Sequence, residues 1–284
     1  MFPSSKPLFR QKALLLHFLP WALLLYLCYP VLRNLYRSRW DYIDYTHAYF
    51  ILPVSLWLVW HNRQNLRVTA AQRSMSGADL AMLGVLLFGL SVFTFAWRQD
   101  YVFLSTLAFI PVLFGISGFV YGSYTAKALS FPIMYLLFLV PPPLGILDSV
   151  TLPMRYGVSI ATDELLKLFH NPVTREGLLL SISGHEVYLG EPCSGFRSLI
   201  TLSSLGLAYI YLSKGGLAKK CVMAFSIVPL TLLGNLIRVV SVVLFTHYFG
   251  ENQAQRFYHD FSGFAIFLFM IGGLLWIEKA MKNK

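Results

Sequence analysis

Ala78 to Trp97 reads ADLAMLGVLLFGLSVFTFAW, twenty residues with one formal charge, Asp79. At 1.5 Å of rise per residue, such a helix is about as long as the ~30 Å hydrocarbon core of a bilayer. The stretch therefore reads as a membrane span. Similar apolar runs occur at Ala13 to Leu32, Tyr45 to Trp60, Tyr101 to Tyr121, Ala126 to Leu144, Arg197 to Leu212, Lys220 to Tyr248 and Phe261 to Ala280. Aromatic residues suited to the membrane interface stand at several ends, including Trp40, Trp60, Trp97, Tyr121, Tyr211 and Trp276. The expected fold is an all-α integral membrane protein of about eight transmembrane helices, built as a single multi-span domain over residues 1–284.

Composition agrees. Hydrophobic residues make up 56% of the 284 and charged residues 13%, about half the charged share of a soluble domain. Disorder, a fibrous protein and a cytosolic enzyme are excluded. The formal charge of +10 would suggest nucleic acid in a soluble chain. Here the basic residues lie between apolar runs, where they set topology instead. With the N-terminus inside, thirteen of the 23 Lys and Arg fall on the inner side, so both termini are expected in the cytoplasm. The apolar run from Ala13 has no small-residue cleavage site after it and reads as a retained first span. Three cysteines and no CxxC argue against a disulfide framework or a cysteine-rich zinc site.

The stretch from about 145 to 192 departs from the all-helix pattern. Pro141, Pro142 and Pro143 end the fifth span. Val150, Met154, Val158, Ala161, Leu165 and Leu168 then recur at three- and four-residue steps, as on an amphipathic helix lying on the outer membrane surface. Leu178, Leu180 and Ile182 alternate, Ser183-Gly184 turns, and Val187 and Leu189 alternate again, predicting a β-hairpin. A structured extracytoplasmic loop of this length is often functional.

That hairpin runs into Glu191-Pro192-Cys193-Ser194-Gly195-Phe196-Arg197, with a span following directly. Cys193 is thus expected at a helix N-terminus, where free N–H groups and the helix dipole stabilise a nucleophilic thiolate. Pro192 suits a helix entry, and Gly195 would let a substrate backbone approach. A small buried cysteine is the competing reading, and it fits Cys28, within a span, and Cys221, near the inner face. Arg238 lies inside an otherwise apolar span, where an arginine is costly and marks a functional site. Asn235 lies one turn earlier on the same face; snorkelling or packing with an acid is the alternative for the arginine. His259, in His259-Asp260-Phe261-Ser262-Gly263 at the outer entry to the last span, can move protons. His185, on the predicted hairpin, remains a rival. Together Cys193, Arg238 and His259 suit acyl transfer by a thiol nucleophile, with a proton carrier and an oxyanion-binding charge. Glu191 or Asp260 could orient the histidine, and Arg197 could support the thiolate or bind an acidic substrate residue. No HxxxH or HExxH spacing suggests a metal, and no cofactor is expected.

These three motifs, in this order and at span ends, resemble those of the exosortase/archaeosortase family of membrane cysteine transpeptidases. The resemblance covers most of the chain and is densest from about 188 to 263. It implies that Cys193, Arg238 and His259 are the catalytic residues. It further implies a thiol protease that processes exported proteins at the outer face of the cytoplasmic (inner) membrane. Substrates of that family end in a short motif (Pro-Glu-Pro in the PEP-CTERM class), a transmembrane helix and a basic tail. The acyl group is then expected to pass to a surface polysaccharide or lipid acceptor. Pro192 stands where a small residue is expected and marks a possible subclass, and the chain, ending at Lys284, reads as the shorter form. Two other functions fit parts of the pattern: a membrane-bound thiol acyltransferase using the same trio, and a non-catalytic scaffold for surface-polymer export. A transporter fits poorly, because its site should be at mid-membrane. The expected partners are exported proteins, a surface acceptor and membrane lipid, and no nucleic acid.

Overall fold

The computed structural model describes residues 6–37, 47–64, 77–142, 144–251, 253 and 263–282. It is mostly helical, with one small sheet. The chain divides into two compact units, Met1–Pro142 and Pro143–Lys284.

The first unit holds α1 (Lys6–Leu35), α2 (Ala48–His61), α3 (Gly77–Arg98), α4 (Val102–Leu107), α5 (Phe109–Tyr121), α6 (Ser123–Ala128) and α7 (Ser130–Tyr135). Small residues bring α3 and α5 together. A Cβ on Gly115 would fall 2.5 Å from the Leu86 Cα, and one on Gly89 would fall 2.8 Å from the Val112 amide nitrogen. In lipid, where apolar side chains gain nothing by leaving the tails, such close backbone approach is a main source of helix association. Trp21 donates to the Tyr121 hydroxyl across 2.7 Å, joining α1 to the end of α5.

Three helices among the described residues are long and apolar enough to cross a membrane: Gly77–Arg98, Val102–Tyr121 and Leu217–Phe249. Shorter apolar helices occur at Leu19–Leu35, Ala48–His61, Ser130–Leu139 and Phe196–Leu212. The expected eight continuous spans are therefore not all realised as single long helices, and prolines explain the clearest departures. The expected run from 101 to 121 is present as the apolar helix Val102–Tyr121, with a turn residue at Ala108, where Pro111 has no N–H to offer the Leu107 carbonyl and Ala108 keeps helical dihedrals. The run from 126 to 144 is divided into α6, α7 and a 3-10 turn at Leu136–Leu139. Pro132 withholds the hydrogen bond that would continue the helix past Leu129. Val140 is extended, as a residue preceding proline tends to be. Ser55 of α2 donates to the Pro132 carbonyl across 2.9 Å.

The second unit runs α8 (Leu144–Leu168), β1 (Val173–Glu176), β2 (Leu179–Ile182), β3 (His185–Tyr188), a 3-10 turn (Glu191–Ser194), α9 (Phe196–Leu212), α10 (Leu217–Phe249) and α11 (Gly263–Lys282). The strands form an antiparallel sheet in the order β1-β2-β3. The expected hairpin is β2–β3. Ser183 and Gly184, with φ of 50° and 86°, form the tight turn that matches strand twist. The strand β1 extends the hairpin and was hidden by its polar sequence, Val-Thr-Arg-Glu.

One face of the sheet is buried. Val173, Leu180, Ile182 and Leu189 pack with Val158 and Leu166 of α8 and with Val239 and Val243 of α10. The amphipathic helix is present, but its exposed stripe is shifted from the expected one, since Val158 of that stripe is buried in the sheet cluster. Val150 and Leu168 are exposed, together with Leu152, Tyr156 and Ile160, whereas Thr151, Ser159, Thr162 and Leu166 are buried. The inward face is partly polar because the sheet offers carbonyls to it: Ser159 donates to the Gly177 carbonyl across 2.8 Å. The apolar residues form the outward face, as a helix at a membrane surface requires.

At 33 residues, α10 is about 50 Å long and exceeds the ~30 Å apolar layer. Its two halves have different partners. Met223 and Ile227 pack with Leu202 and Ile210 of α9 and with Met270 and Leu274 of α11. Val239 and Val243 join the sheet cluster. Asn235 and Arg238 stand at the changeover. At the opposite end of the bundle, Glu278 of α11 is buried and accepts hydrogen bonds from Tyr209 of α9 and, at 2.7 Å, from Lys219 of α10.

Candidate functional site

Cys193 lies in the 3-10 turn that joins β3 to α9. Its amide donates to the Gly190 carbonyl across 3.0 Å. Its side chain is half-buried and packs against the sheet cluster. Ser194 accepts a hydrogen bond from the Phe196 amide at 3.2 Å, satisfying one of the amides that a helix start leaves over. Cys193 thus stands just ahead of the α9 terminus and not inside its first turn. Glu191 and Pro192 belong to the same turn. Arg197, half-buried, is in the first turn of α9.

Gly195 caps α9 with φ of 74°, in the left-handed region, which favours glycine. The space expected to admit a substrate backbone is occupied by Asn235, since a Cβ on Gly195 would fall 2.7 Å from the Asn235 Cγ. Asn235 is fully buried. Its Nδ2 donates to the Cys193 carbonyl across 2.9 Å. The asparagine expected to act with Arg238 is therefore also a clamp on the cysteine turn. Arg238 follows one helical turn later on α10 and is half-buried.

Two constraints hold the turn: a left-handed glycine and a part-buried amide–carbonyl bond. A side-chain amide in an apolar setting has no competing water, so breaking this bond leaves buried polar atoms unsatisfied. The thiol is consequently held at one place beside the head of α9 and the middle of α10. His259 and Asp260 lie outside the described residues.

A further wall of the site is α8, whose inward face packs against the Glu191–Ser194 turn and α10. Its polar stripe runs Thr151, Arg155, Ser159, Thr162 at three- and four-residue steps. Sequence reading followed the hydrophobic period of this helix and missed the stripe, although its spacing is visible in the sequence. His185 Nδ1 is 3.8 Å from a Glu251 carboxylate oxygen, both on exposed side chains, linking β3 to the end of α10.

A family model for transmembrane exosortases matches residues 40–276. This interval contains the cysteine, arginine and histidine motifs. No curated protein and no solved structure matches the chain. The long apolar helices, the small sheet at the head of α9 and the extent of the family match lead to one conclusion: this membrane protein belongs to the transmembrane exosortase family.

Proposed function

We propose that the protein is a cysteine-dependent sorting transpeptidase. It cleaves the C-terminal sorting signal of exported proteins at the outer face of the cytoplasmic membrane and passes them to a surface acceptor. The observation that carries this reading is the bond from Asn235 to the Cys193 carbonyl. It supports the reading because it fixes a cysteine-bearing turn beside the helix that carries Arg238, as nucleophile and oxyanion donor require.

In the proposed reaction the Cys193 thiolate attacks the scissile carbonyl, and Arg238 stabilises the charge that develops on its oxygen. His259 gives a proton to the leaving amine as the C–N bond breaks. This leaves a thioester on Cys193 and releases the membrane-helix fragment. An amine or hydroxyl of the surface acceptor then attacks the thioester, and the thiol is regenerated. The substrate's own apolar helix and basic tail would hold its cleavage site at the membrane surface. Arg197 supports the thiolate, and Glu191 or Asp260 orients the histidine.

The test is coexpression with an exported protein of the same genome that ends in a short motif, one apolar helix and a basic tail. Trimming with the native enzyme and none with Cys193→Ala is the expected result, and the product mass distinguishes cleavage from fatty acylation. Equal trimming by both would remove Cys193 as the nucleophile.

A further inference from the structure

The strand β3 is one edge of the sheet, and the chain leaves it directly for the cysteine turn. One bond beyond the strands shows which of its backbone groups face outward. The Leu189 amide donates to the Leu178 carbonyl across 2.9 Å, so those two residues form a hydrogen-bonded pair. Bonded and non-bonded pairs alternate along an antiparallel ladder. Val187 opposite Leu180 and His185 opposite Ile182 are therefore bonded pairs, whereas Glu186 opposite Ser181 and Tyr188 opposite Leu179 are not. The amides and carbonyls of Glu186 and Tyr188 point away from β2. The Tyr188 carbonyl is taken, since it accepts from the Gly190 amide at 3.1 Å. The Glu186 amide, the Glu186 carbonyl and the Tyr188 amide make no backbone bond among the described residues. Both residues are exposed, Tyr188 by 64%.

The two edges of the sheet differ. On the other side β1 packs against α8, Val173 is buried in the sheet cluster, and its amide is taken by the Asn171 carbonyl at 2.9 Å. On the β3 side, Val187 shares the inward face with fully buried Leu180 but is only half-buried. The covered face thus stops short at β3. An edge with free donors and acceptors is a template for another extended chain, and strand addition is a common way of holding a peptide. Gly190 ties this edge to the nucleophile: its amide bonds the Tyr188 carbonyl, and its carbonyl takes the Cys193 amide at 3.0 Å. Val187 and Cys193 also pack against the same cluster.

We propose that β3 is the docking edge for the peptide substrate, whose extended segment just before the cleavage site adds to the sheet as a parallel strand. This deepens the proposed function and rests on Cys193 as its nucleophile. Direction follows from where each chain goes next. The protein runs from β3 through the cysteine turn into the apolar helix α9. A sorting substrate runs from its exported part through the cleavage site into its own apolar helix, so the two chains lie parallel. In a parallel ladder, a residue bonds the two residues that flank its neighbour. The Glu186 amide then donates to one substrate carbonyl. The Glu186 carbonyl accepts from the amide two residues on, and the Tyr188 amide donates to the carbonyl of that second residue. All three free groups are used, and the ladder ends where the Gly190 amide occupies the Tyr188 carbonyl. The segment is held by its main chain, whatever its side chains, and is delivered to the cysteine turn.

The experiment uses the full chain carrying Cys193→Ala in nanodiscs and synthetic peptides covering the cleavage junction of the exported reporter. Each peptide carries one N-methylated backbone amide before the cleaved bond. A methyl on an amide facing β3 should lower affinity by about tenfold or more, and one on an intervening residue should change it by less than about twofold. On the enzyme, Glu186→Pro removes an outward amide that the ladder itself does not need, a position where a sheet edge tolerates proline. It should weaken the unmodified peptide by about tenfold, whereas Glu186→Ala keeps the amide and should bind like its parent. Losses without alternation, equal affinity across the series, or Glu186→Pro binding as tightly as Glu186→Ala would overturn the docking edge. So would dimers in peptide-free detergent that Glu186→Pro dissociates with peptide binding unchanged, the mark of an edge that pairs with a second copy. Trimming in cells separates the two readings. If Cys193→Ala still trims the reporter while the alternation persists, the nucleophile is wrong and the edge stands. If Cys193→Ala is inert and the alternation is absent, the edge is wrong and the nucleophile stands.

Discussion

Asn235 donates its side-chain amide to the Cys193 carbonyl across 2.9 Å, and the same side chain fills the space where Gly195 lacks a Cβ. A residue from the middle of α10 thereby fixes a turn 42 positions earlier in the chain. Asn235→Ala should remove the bond and leave a part-buried carbonyl without its donor, at about 1–3 kcal/mol. Asn235→Asp should be worse, because it places a charge where an amide donor is needed. The check is processing of the reporter alongside thermal unfolding in detergent. Activity lost at nearly native stability would mark the bond as a positioning device for the thiol.

Gly195→Ala follows from the same contact. The left-handed conformation alone costs a side chain about 1 kcal/mol, and the new Cβ would collide with Asn235. The two strains are coupled, since reducing residue 235 in size relieves one of them. Gly195→Ala should therefore be less harmful when combined with Asn235→Ala than the separate effects imply. Additive losses in a double-mutant cycle would show that the glycine serves its backbone conformation only.

Much of this site was legible in the sequence. The cysteine turn, the span bearing Asn235 and Arg238, and the β2–β3 hairpin are short-range patterns, and their residues carry the signal themselves. The contact between Asn235 and Gly195 was not legible, because nothing local requires those two positions to meet. The strand β1 was hidden because only Val173 of its four residues is apolar and buried. The facing of α8 was misread for a related reason. The expected membrane-facing stripe includes Val158, which is buried in the sheet cluster, whereas Leu152, Tyr156 and Ile160 are the residues left outside. In a membrane protein apolar periodicity can mark the lipid side as readily as the core. The eight expected spans were counted from hydropathy, which does not register where Pro132 interrupts a helix.

Arg238 is the second residue on which the proposed mechanism turns. A lysine there keeps the charge but loses the planar fork of donors. Arg238→Lys should lower processing by about a hundredfold or more, as loss of an oxyanion donor commonly does, with membrane insertion intact. Near-native turnover by Arg238→Lys would mean that the arginine contributes charge or packing alone.

Glu278 offers a test of stability remote from the proposed chemistry. Its carboxylate is buried at the far end of the bundle, with Lys219 at 2.7 Å and Tyr209 as its second donor. Three helices, α9, α10 and α11, meet at this one side chain. Removing the carboxylate by Glu278→Ala leaves the Lys219 ammonium, only 12% exposed at its side chain, without its counter-charge. Loss of one partner from a buried pair costs about 3–5 kcal/mol. Replacing both partners, Lys219→Met with Glu278→Met, removes the charges together and should recover much of that loss, because neither desolvation cost remains. Thermal unfolding in detergent should rank the native protein and the double variant close together, well above Glu278→Ala. If the single and double variants melt alike, the cluster is held by the Tyr209 bond and helix packing, and the ion pair adds nothing.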